Sequence, residues 1–271
     1  MPELPEVETI RVSLDPVVVG RTVERVEIRE PRLRIPLDAR FRAAVTGRRI
    51  VSTSRRGKYL LLHLDDGRAW FFHMGMSGRL RFHGGSFAAG THDHVLAYFR
   101  EGGALVFHDP RRFGLCVVDH ATDSKLLAGM GPEPLDRAGF HEAYFAGFRR
   151  RTRRSVKDVL MDQRVVAGLG NIYVNEILFR AGVRPRRGMA RTSIDDCARI
   201  VAATREVITD AIEHRGSTIS DFLDGIGYRG GYQFRHCVYD RGGQPCVSCR
   251  APIKAIVVGQ RSSFYCPGCQ R

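Results

Sequence analysis

The last 26 residues carry two Cys-x-x-Cys pairs, Cys246/Cys249 and Cys266/Cys269, with 16 residues between them. Nothing else in the chain limits its fold so tightly. Each pair presents two thiolates to one tetrahedral ion, and the run between them is long enough for a hairpin that brings the pairs together. Zinc is the expected ion, with iron in a rubredoxin-like site as the alternative. Four thiolates leave no open coordination position, so the role is structural and a catalytic metal is not expected. The remaining three of the seven cysteines, Cys116, Cys197 and Cys237, fall outside this spacing and read as small buried or incidental side chains. The paired pattern points to metal binding in a reducing cytosol rather than to a secreted disulfide scaffold.

At 271 residues the chain is long enough for two domains and at least one sizeable core. Lys plus Arg is 43 against 29 acids, a formal charge of +14. The lysines are Lys58, Lys125, Lys157 and Lys254, so the excess is almost all arginine. Guanidinium donors form a planar fork suited to phosphate, and the balance implies a polyanionic partner, nucleic acid above all. No apolar stretch approaches the length of a membrane span, and no basic patch followed by an apolar run marks a signal peptide. A cytoplasmic protein is the expectation. A monomer is expected too, because no segment marks a partner interface.

Residues 4–19, LPEVETIRVSLDPVVV, place Leu4, Val7, Ile10, Leu14 and Val17 near one helical face, with Pro16 kinking or closing the helix. The pattern then changes to period two. VERVEI, RRIVSTSRR, KYLLLHL, RAWFFHM, HVLAYF and GALVFHD read as strands, punctuated by Asp66-Gly67 and Gly102-Gly103. Many short strands suggest an antiparallel sandwich or barrel with the first helix laid along it, over residues 1–130. GGSFAAG, 84–90, reads as a flexible loop at best. Residues 131–154 read as a linker ending in RRRTRR, a solvated basic run facing a polyanion. A helical pattern follows in SVKDVLMD, NIYVNEILFRAG and DDCARIVAATREVITDAIEHRG, with Gly182 and Gly216 as terminators, so 155–232 forms a helical domain. Residues 233–271 form the cysteine module.

Three loops carry side chains suited to DNA. Gly168 and Gly170 flank a turn before a helix starting near Asn171, whose free N–H groups and dipole suit a phosphate, although a plain interhelical turn reads the same. HMGMSG, 73–78, and DPRRFG, 109–114, each set bulky or basic side chains beside glycines. An exposed Met76, Phe113 and Arg111 are what a duplex-opening protein needs: wedges fill the gap in the stack and an arginine replaces lost pairing. Core positions for Met76 and Phe113 are the plainer alternative. His73, His92 and His94 read as hydrogen-bonding or phosphate-contacting groups rather than metal ligands.

The N-terminal PELPEVET admits two readings. Pro and acids suit the first turn of a helix. The tip is also a reagent if the initiator methionine is trimmed. The Pro2 amine, with an α-amine pKa of about 8, then attacks an electrophilic sugar or carbonyl carbon and leaves an iminium. Glu3 moves protons, Glu6 one turn on orients them, and Lys58 after Gly57 protonates a departing group or steadies a phosphate.

PELPEVET, GKYLL at 57–61, HMGMSG, DPRRFG, GLGNIYVNE at 168–176 and the terminal CxxC pairs come in the order and spacing of the bacterial formamidopyrimidine-DNA glycosylases, and the resemblance spans essentially the whole chain. It implies an α+β fold: an N-terminal helix packed on a two-layer antiparallel β-sandwich, a C-terminal helical domain with a helix-two-turn-helix, and a four-cysteine zinc-finger β-hairpin with one structural zinc and no organic cofactor. It implies a bifunctional glycosylase and abasic-site lyase of base excision repair. Such an enzyme removes 8-oxoguanine and formamidopyrimidines from double-stranded DNA and nicks the strand by β,δ-elimination. By that resemblance Pro2 forms the Schiff base at C1′, Glu3 is the general acid and base, and Lys58 serves the glycosylase and β-elimination steps. Met76, Arg111 and Phe113 fill the space left by the everted base, with Arg111 facing the orphan cytosine. Asn171 and Arg261 hold phosphates flanking the lesion, and Arg261 is linked to δ-elimination. His73, His92, Arg153 and Lys157 resemble further DNA contacts, and TISDFLDGIGYRGGY, 218–232, takes the place of the loop covering the everted base.

Two departures stand out. NIYVNE differs from the more usual small residue followed by Ser or Asp, and VYDRGGQPC lacks the usual Gly-Arg pair. Three other readings compete: the sister branch acting on oxidised pyrimidines, whose members tend to begin PEGPE; a noncatalytic zinc-containing DNA-binding protein; and a nuclease with a catalytic metal. PELPE and the two full loops speak against the sister branch, and the Pro2-Glu3 pair and Lys58 against the noncatalytic reading; a metal nuclease would lose activity in chelator without unfolding.

Overall fold

The computed structural model describes residues 2–219 and 222–271. Met1, whose removal the tip chemistry requires, and Ser220 and Asp221 of the expected covering loop lie outside the described residues. Two compact units emerge. One runs to Ala128 and resumes at His214–Gly231; the other comprises Gly129–Glu213 and Tyr232–Arg271. The 214–231 segment, expected with the helices, thus packs with the N-terminal unit.

The first unit starts with α1 (Leu4–Val18). Glu3 is its N-cap and forms a reciprocal capping box with Glu6, whose Oε2 accepts the Glu3 N–H at 2.8 Å. Leu4, Val7, Ile10, Leu14 and Val18 are buried, Val18 taking the core position expected of Val17. Pro16 sits inside the helix without ending it. The carbonyl it deprives of a donor belongs to Val12, an exposed residue on the outer side of the helix.

Eight strands follow: β1 (Val23–Ile28), β2 (Ile50–Arg56), β3 (Tyr59–Leu64), β4 (Ala69–His73), β5 (Arg79–His83), β6 (Asp93–Phe99), β7 (Ala104–His108) and β8 (Leu115–Asp119). They form two antiparallel four-stranded sheets, ordered β1-β6-β7-β5 and β2-β3-β4-β8. Strand alternation explains the shared core. Leu60, Leu62 and Leu64 of β3 and Trp70 and Phe72 of β4 point inward, and so do Val95 and Ala97 of β6 and Leu105 and Phe107 of β7. The short helix α2 (Ala39–Val45), capped by Asp38, adds Phe41 and Val45.

The outer faces are covered as well. Leu61, Ala69 and Phe71 pack against Leu126 and Leu127. On the other sheet Phe87 lies on Leu96, Ala104 and Val106 and stacks on His83 at 4.6 Å. GGSFAAG has no regular element, yet its phenylalanine is a lid on apolar sheet surface rather than part of a free loop. Gly225 ties the 214–231 segment down: its N–H donates to Ser13 Oγ and its carbonyl accepts from Phe82 N.

The second unit holds α3 (Glu142–Ala146), α4 (Val156–Met161), α5 (Asn171–Arg180), α6 (Ile194–Glu213) and the hairpin β9 (Lys254–Val258) and β10 (Arg261–Tyr265). Residues 131–154, expected as a linker, contain α3, which buries Phe145 and is followed by a 3-10 turn at Gly147–Arg150. α5 is buried almost all round, with Ile172 through Phe179 inaccessible. α6 is amphipathic, burying Ile200, Val201, Thr204, Val207, Ile208 and Ala211. Among the described residues no helix is long and apolar enough to cross a membrane.

Candidate functional site

In the first unit, Glu3 is 2% exposed and Pro2 half-buried at the head of α1. Lys58, 7% exposed, follows Gly57 in the tight β2–β3 turn, where Gly57 takes φ +56. One chain of contacts ties that turn to α1. Arg55 donates to the Gly57 carbonyl at 2.9 Å and to Glu8 Oε2 at 3.1 Å. Burial works against the Glu8 charge, but Arg11 and Arg55 outweigh it and hold its carboxyl below the usual range. Glu6 joins the tip to the 214–231 segment, its Oε1 accepting the Ser217 N–H at 2.7 Å.

His73 lies against the Tyr59 ring at 4.9 Å and accepts the Gly75 N–H on Nδ1. Burial first, then the charges of Lys58 and Arg34, push its pKa down to about 4, so it is neutral near pH 7 and presents Nε2–H. The folded pKa lies below the unfolded one. The stability this gives is therefore present above pH 6.5 and drains away as pH falls toward 4. Lowering the pH from 7 to 5 is expected to cost about 1–2 kcal/mol through this group. Urea midpoints followed by Trp70 fluorescence check it: His73→Gln should show a visibly smaller drop.

The residues expected to act as wedges are exposed. Met76 is 47% and Phe113 51% exposed, and Arg111 is exposed with its guanidinium carbon 6.0 Å from the Phe113 ring centre. Sequence reasoning missed the group that joins the two loops. The buried Asp109 accepts from Ser77 Oγ at 2.8 Å and from Gly114 N at 2.7 Å, while His94 Nε2 donates to its carbonyl. Gly75, at φ +58, lies so close to the Phe113 and Gly114 backbone that any side chain there would collide. The Asp that opens DPRRFG was the available signal, because a carboxylate in a Gly-rich turn seeks backbone N–H groups. His92 is exposed and lines a cleft of about 340 Å³ with Arg29, Glu30, His94 and Arg112.

In the second unit, Asn171 opens α5 after a turn in which Gly168 takes φ +82. Gln163 holds that turn through Gly168 N and the Leu169 carbonyl. Asn171 Nδ2 donates to the Ser262 carbonyl, and its Oδ1 has no hydrogen-bond partner among the described residues. Arg261 starts β10 and is exposed, as is Arg153. Lys157 differs from the expected DNA contact. It is fully buried, and its Nζ donates to the Ser262 carbonyl at 3.0 Å and to Ser263 Oγ. These acceptors satisfy the ammonium inside the protein, which no local pattern around Lys157 announces.

The departure at NIYVNE has a structural role: Asn175 Oδ1 accepts the Phe264 N–H at 2.7 Å. Glu176, also missed, accepts the N–H groups of Cys237, Val238 and Tyr239. Burial raises its pKa, and those three donors oppose the rise.

The Sγ atoms of Cys246, Cys249, Cys266 and Cys269 all lie within 4.8 Å of one another. Ser248 N and Cys269 N each donate to a cysteine sulfur at 3.4 Å, which favours thiolates. Four soft donors at this spacing fit a tetrahedral zinc.

Residues 1–116 match the Formamidopyrimidine-DNA glycosylase N-terminal domain, 130–223 the Formamidopyrimidine-DNA glycosylase H2TH domain, and 243–271 the Zinc finger found in FPG and IleRS. The Formamidopyrimidine-DNA glycosylase of Dinoroseobacter shibae is 45% identical over 286 residues, and that of Methylococcus capsulatus 44% over 273; each alignment covers 100% of both chains. Among solved structures, the MutM (FPG) protein from Thermus thermophilus superposes with a TM-score of 0.88 at 40% identity, over 99% of this chain and 98% of that one. A point mutant of the Lactococcus lactis FPG in complex with a Fapy-dG containing DNA gives 0.93 at 32% identity, over 100% of both chains. Lactococcus lactis Fpg with an abasic site containing DNA gives 0.92 at 32%, over 99% of both chains. With family models matching residues 1–116, 130–223 and 243–271 and relatives 44–45% identical along its full length, the chain belongs to the formamidopyrimidine-DNA glycosylase family.

Proposed function

We propose that the protein is a bifunctional DNA glycosylase and abasic-site lyase of base excision repair that excises oxidised purines, 8-oxoguanine and formamidopyrimidines, from duplex DNA. The observation that carries this reading is the head of α1: a carboxylic acid 2% exposed, one residue from a half-buried proline, in a chain with 14 surplus positive charges. The Lactococcus lactis relatives bound to Fapy-dG and abasic-site DNA support the purine branch and the lyase step. So do PELPE and the two full wedge loops.

Once Met1 is removed, the neutral Pro2 nitrogen attacks C1′ of the everted nucleotide. The C1′–N9 bond breaks and the base leaves with its electron pair and a proton, for which Glu3 is placed as donor. The sugar ring opens as the nitrogen lone pair forms the iminium. That cation makes a C2′ proton acidic, and its removal expels the 3′ phosphate; a second elimination at C4′ expels the 5′ phosphate. Lys58 serves base release and the first elimination. Met76, Arg111 and Phe113 hold the opened stack, which costs a few kcal/mol to create. His73, His92, Arg153, Asn171 and Arg261 grip the backbone, and Arg261 serves the second elimination. One zinc, held by the four cysteines, keeps the Arg261 hairpin folded and takes no part in bond breaking.

Borohydride reduction on an 8-oxoguanine duplex tests the reading. The wild-type protein is expected to be trapped covalently. A protein whose N-terminal amine is blocked should lose the adduct, on the order of a hundredfold or more, as expected when a covalent nucleophile is removed. Undiminished trapping in the blocked protein, or none in the wild type, sinks the proposal. Equal activity on thymine glycol would move it to the sister branch.

A further inference from the structure

Arg261 is the last residue of a two-residue hairpin turn, Val258-Gly259-Gln260-Arg261, in which Arg261 pairs with Val258. Gly259 takes φ +55 and Gln260 φ +61, the two successive left-handed residues of a type I′ turn. Such a turn is stiff, but a two-stranded hairpin still tilts as a body unless its tip is held.

Helices α4 and α5 hold the strand just beyond Arg261. Lys157 and Asn171 both donate to the Ser262 carbonyl at 3.0 Å, Lys157 also donates to Ser263 Oγ, and Asn175 accepts from Phe264 N. The turn itself meets α4 at Asp158. The Asp158 carboxylate occupies the space that a side chain at Gly259 would need, so that an added methyl would overlap Asp158 Oδ1. Asp158 is not free to swing away: its Oδ2 accepts from Ser155 Oγ at 2.6 Å, its N–H donates to the same oxygen at 3.1 Å, and Arg154 donates to its carbonyl. A carboxylate this firmly anchored is a stop.

We propose that Asp158 and Gly259 form a steric seat that sets the height of the hairpin tip, making them positioning residues for the Arg261 contact with the backbone phosphate. This rests on the reading of Arg261 given above. The seat links α4 to the second elimination without either residue touching DNA. Gly259 is then required for two separate reasons: its left-handed backbone, and the room its missing side chain leaves for Asp158.

A suppressor pair separates those reasons. Wild type, Gly259→Ala, Asp158→Ala/Gly259→Ala and Asp158→Glu are compared on an abasic-site duplex at single turnover, reading first and second elimination separately. Small misplacements of a catalytic contact cost up to about a hundredfold, so Gly259→Ala should slow the second elimination about tenfold and leave the first within about threefold. The double variant should recover to within about threefold of wild type, the remainder reflecting the left-handed strain that alanine keeps. Asp158→Glu, which presses on the tip without altering the hairpin, should reproduce the loss and guards against Gly259→Ala failing to fold. A double variant no better than Gly259→Ala, an inert Asp158→Glu, or equal loss in both steps overturns the seat. Arg261→Ala serves as the control for the underlying reading. If it leaves the second elimination intact, the phosphate role of Arg261 fails and the functional half of the seat with it. Amide exchange at Ser262 and Phe264 then judges the seat itself, which stands only if exchange rises in Gly259→Ala and is restored in the double variant.

Discussion

Replacing Glu3 with glutamine is expected to abolish excision of oxidised purines while sparing much of the cleavage of ready-made abasic sites. The leaving base needs a proton, and glutamine has none to give. Loss of a positioned general acid costs about 10²–10⁴-fold, and the upper part of that range is expected here because Glu3 is 2% exposed and water has little access to replace it. An abasic duplex has already lost its base, so the same variant should fall only about tenfold on it, the part owed to moving the C2′ proton. The variant should fold normally, since the Glu3 N–H still reaches Glu6 Oε2 and the amide oxygen still serves as a cap acceptor. Single-turnover rates on the two duplexes provide the check. Excision by Glu3→Gln within about tenfold of wild type would remove Glu3 from the acid role.

The second large effect concerns the metal. Stripping zinc, or replacing Cys246 with serine, is expected to unfold the hairpin and weaken binding to a lesion duplex by at least about a hundredfold, because metal binding in such modules contributes about 10–16 kcal/mol to their folding. The small core around it, Phe179, Val238, Ile253, Cys246 and Cys266, is too slight to fold on its own strength. The chain provides an internal control. Its one tryptophan, Trp70, is buried in the core of the first unit, so its fluorescence reports that unit alone. Trp70 emission and its urea midpoint should hold steady while metal content and DNA binding fall together. Binding that survives verified loss of the metal would show that the hairpin needs no ion.

The sheets were legible where alternation was undiluted. YLLLHL, AWFFH, DHVLAYF and ALVFH each alternate two apolar sets, one for the shared core and one for an outer cover. β5 escaped notice because Arg79 and Arg81 interrupt its apolar pair, Leu80 and Phe82, straight after a Gly-rich loop. β8 is five residues with only Leu115 and Cys116 buried. α2 and α3 are too short for a helical period to register, one burying Phe41 and Val45 and the other Phe145 alone. In the candidate site, motifs that carry their own turn chemistry were readable, as with HMGMSG, DPRRFG, LGN and the cysteine pairs. Residues whose partners lie far away in sequence were not. Lys157 looked like a surface cation because nothing near it announces Ser262 and Ser263. Glu176 and Asn175 gave no sign of their roles, because their partners, 237–239 and Phe264, arrive some sixty to ninety residues later.

The return of His214–Gly231 to the first unit has a consequence for synthesis on the ribosome. When residue 128 emerges, all eight strands of the sandwich exist, yet the backbone donor of Phe82 and the Oε1 acceptor of Glu6 still lack the segment that satisfies them. They must wait until the whole of α6 has been translated. The nascent sandwich therefore passes through a stage in which its strands are all present but the head of α1 is still open, and that end is closed over only near the close of translation.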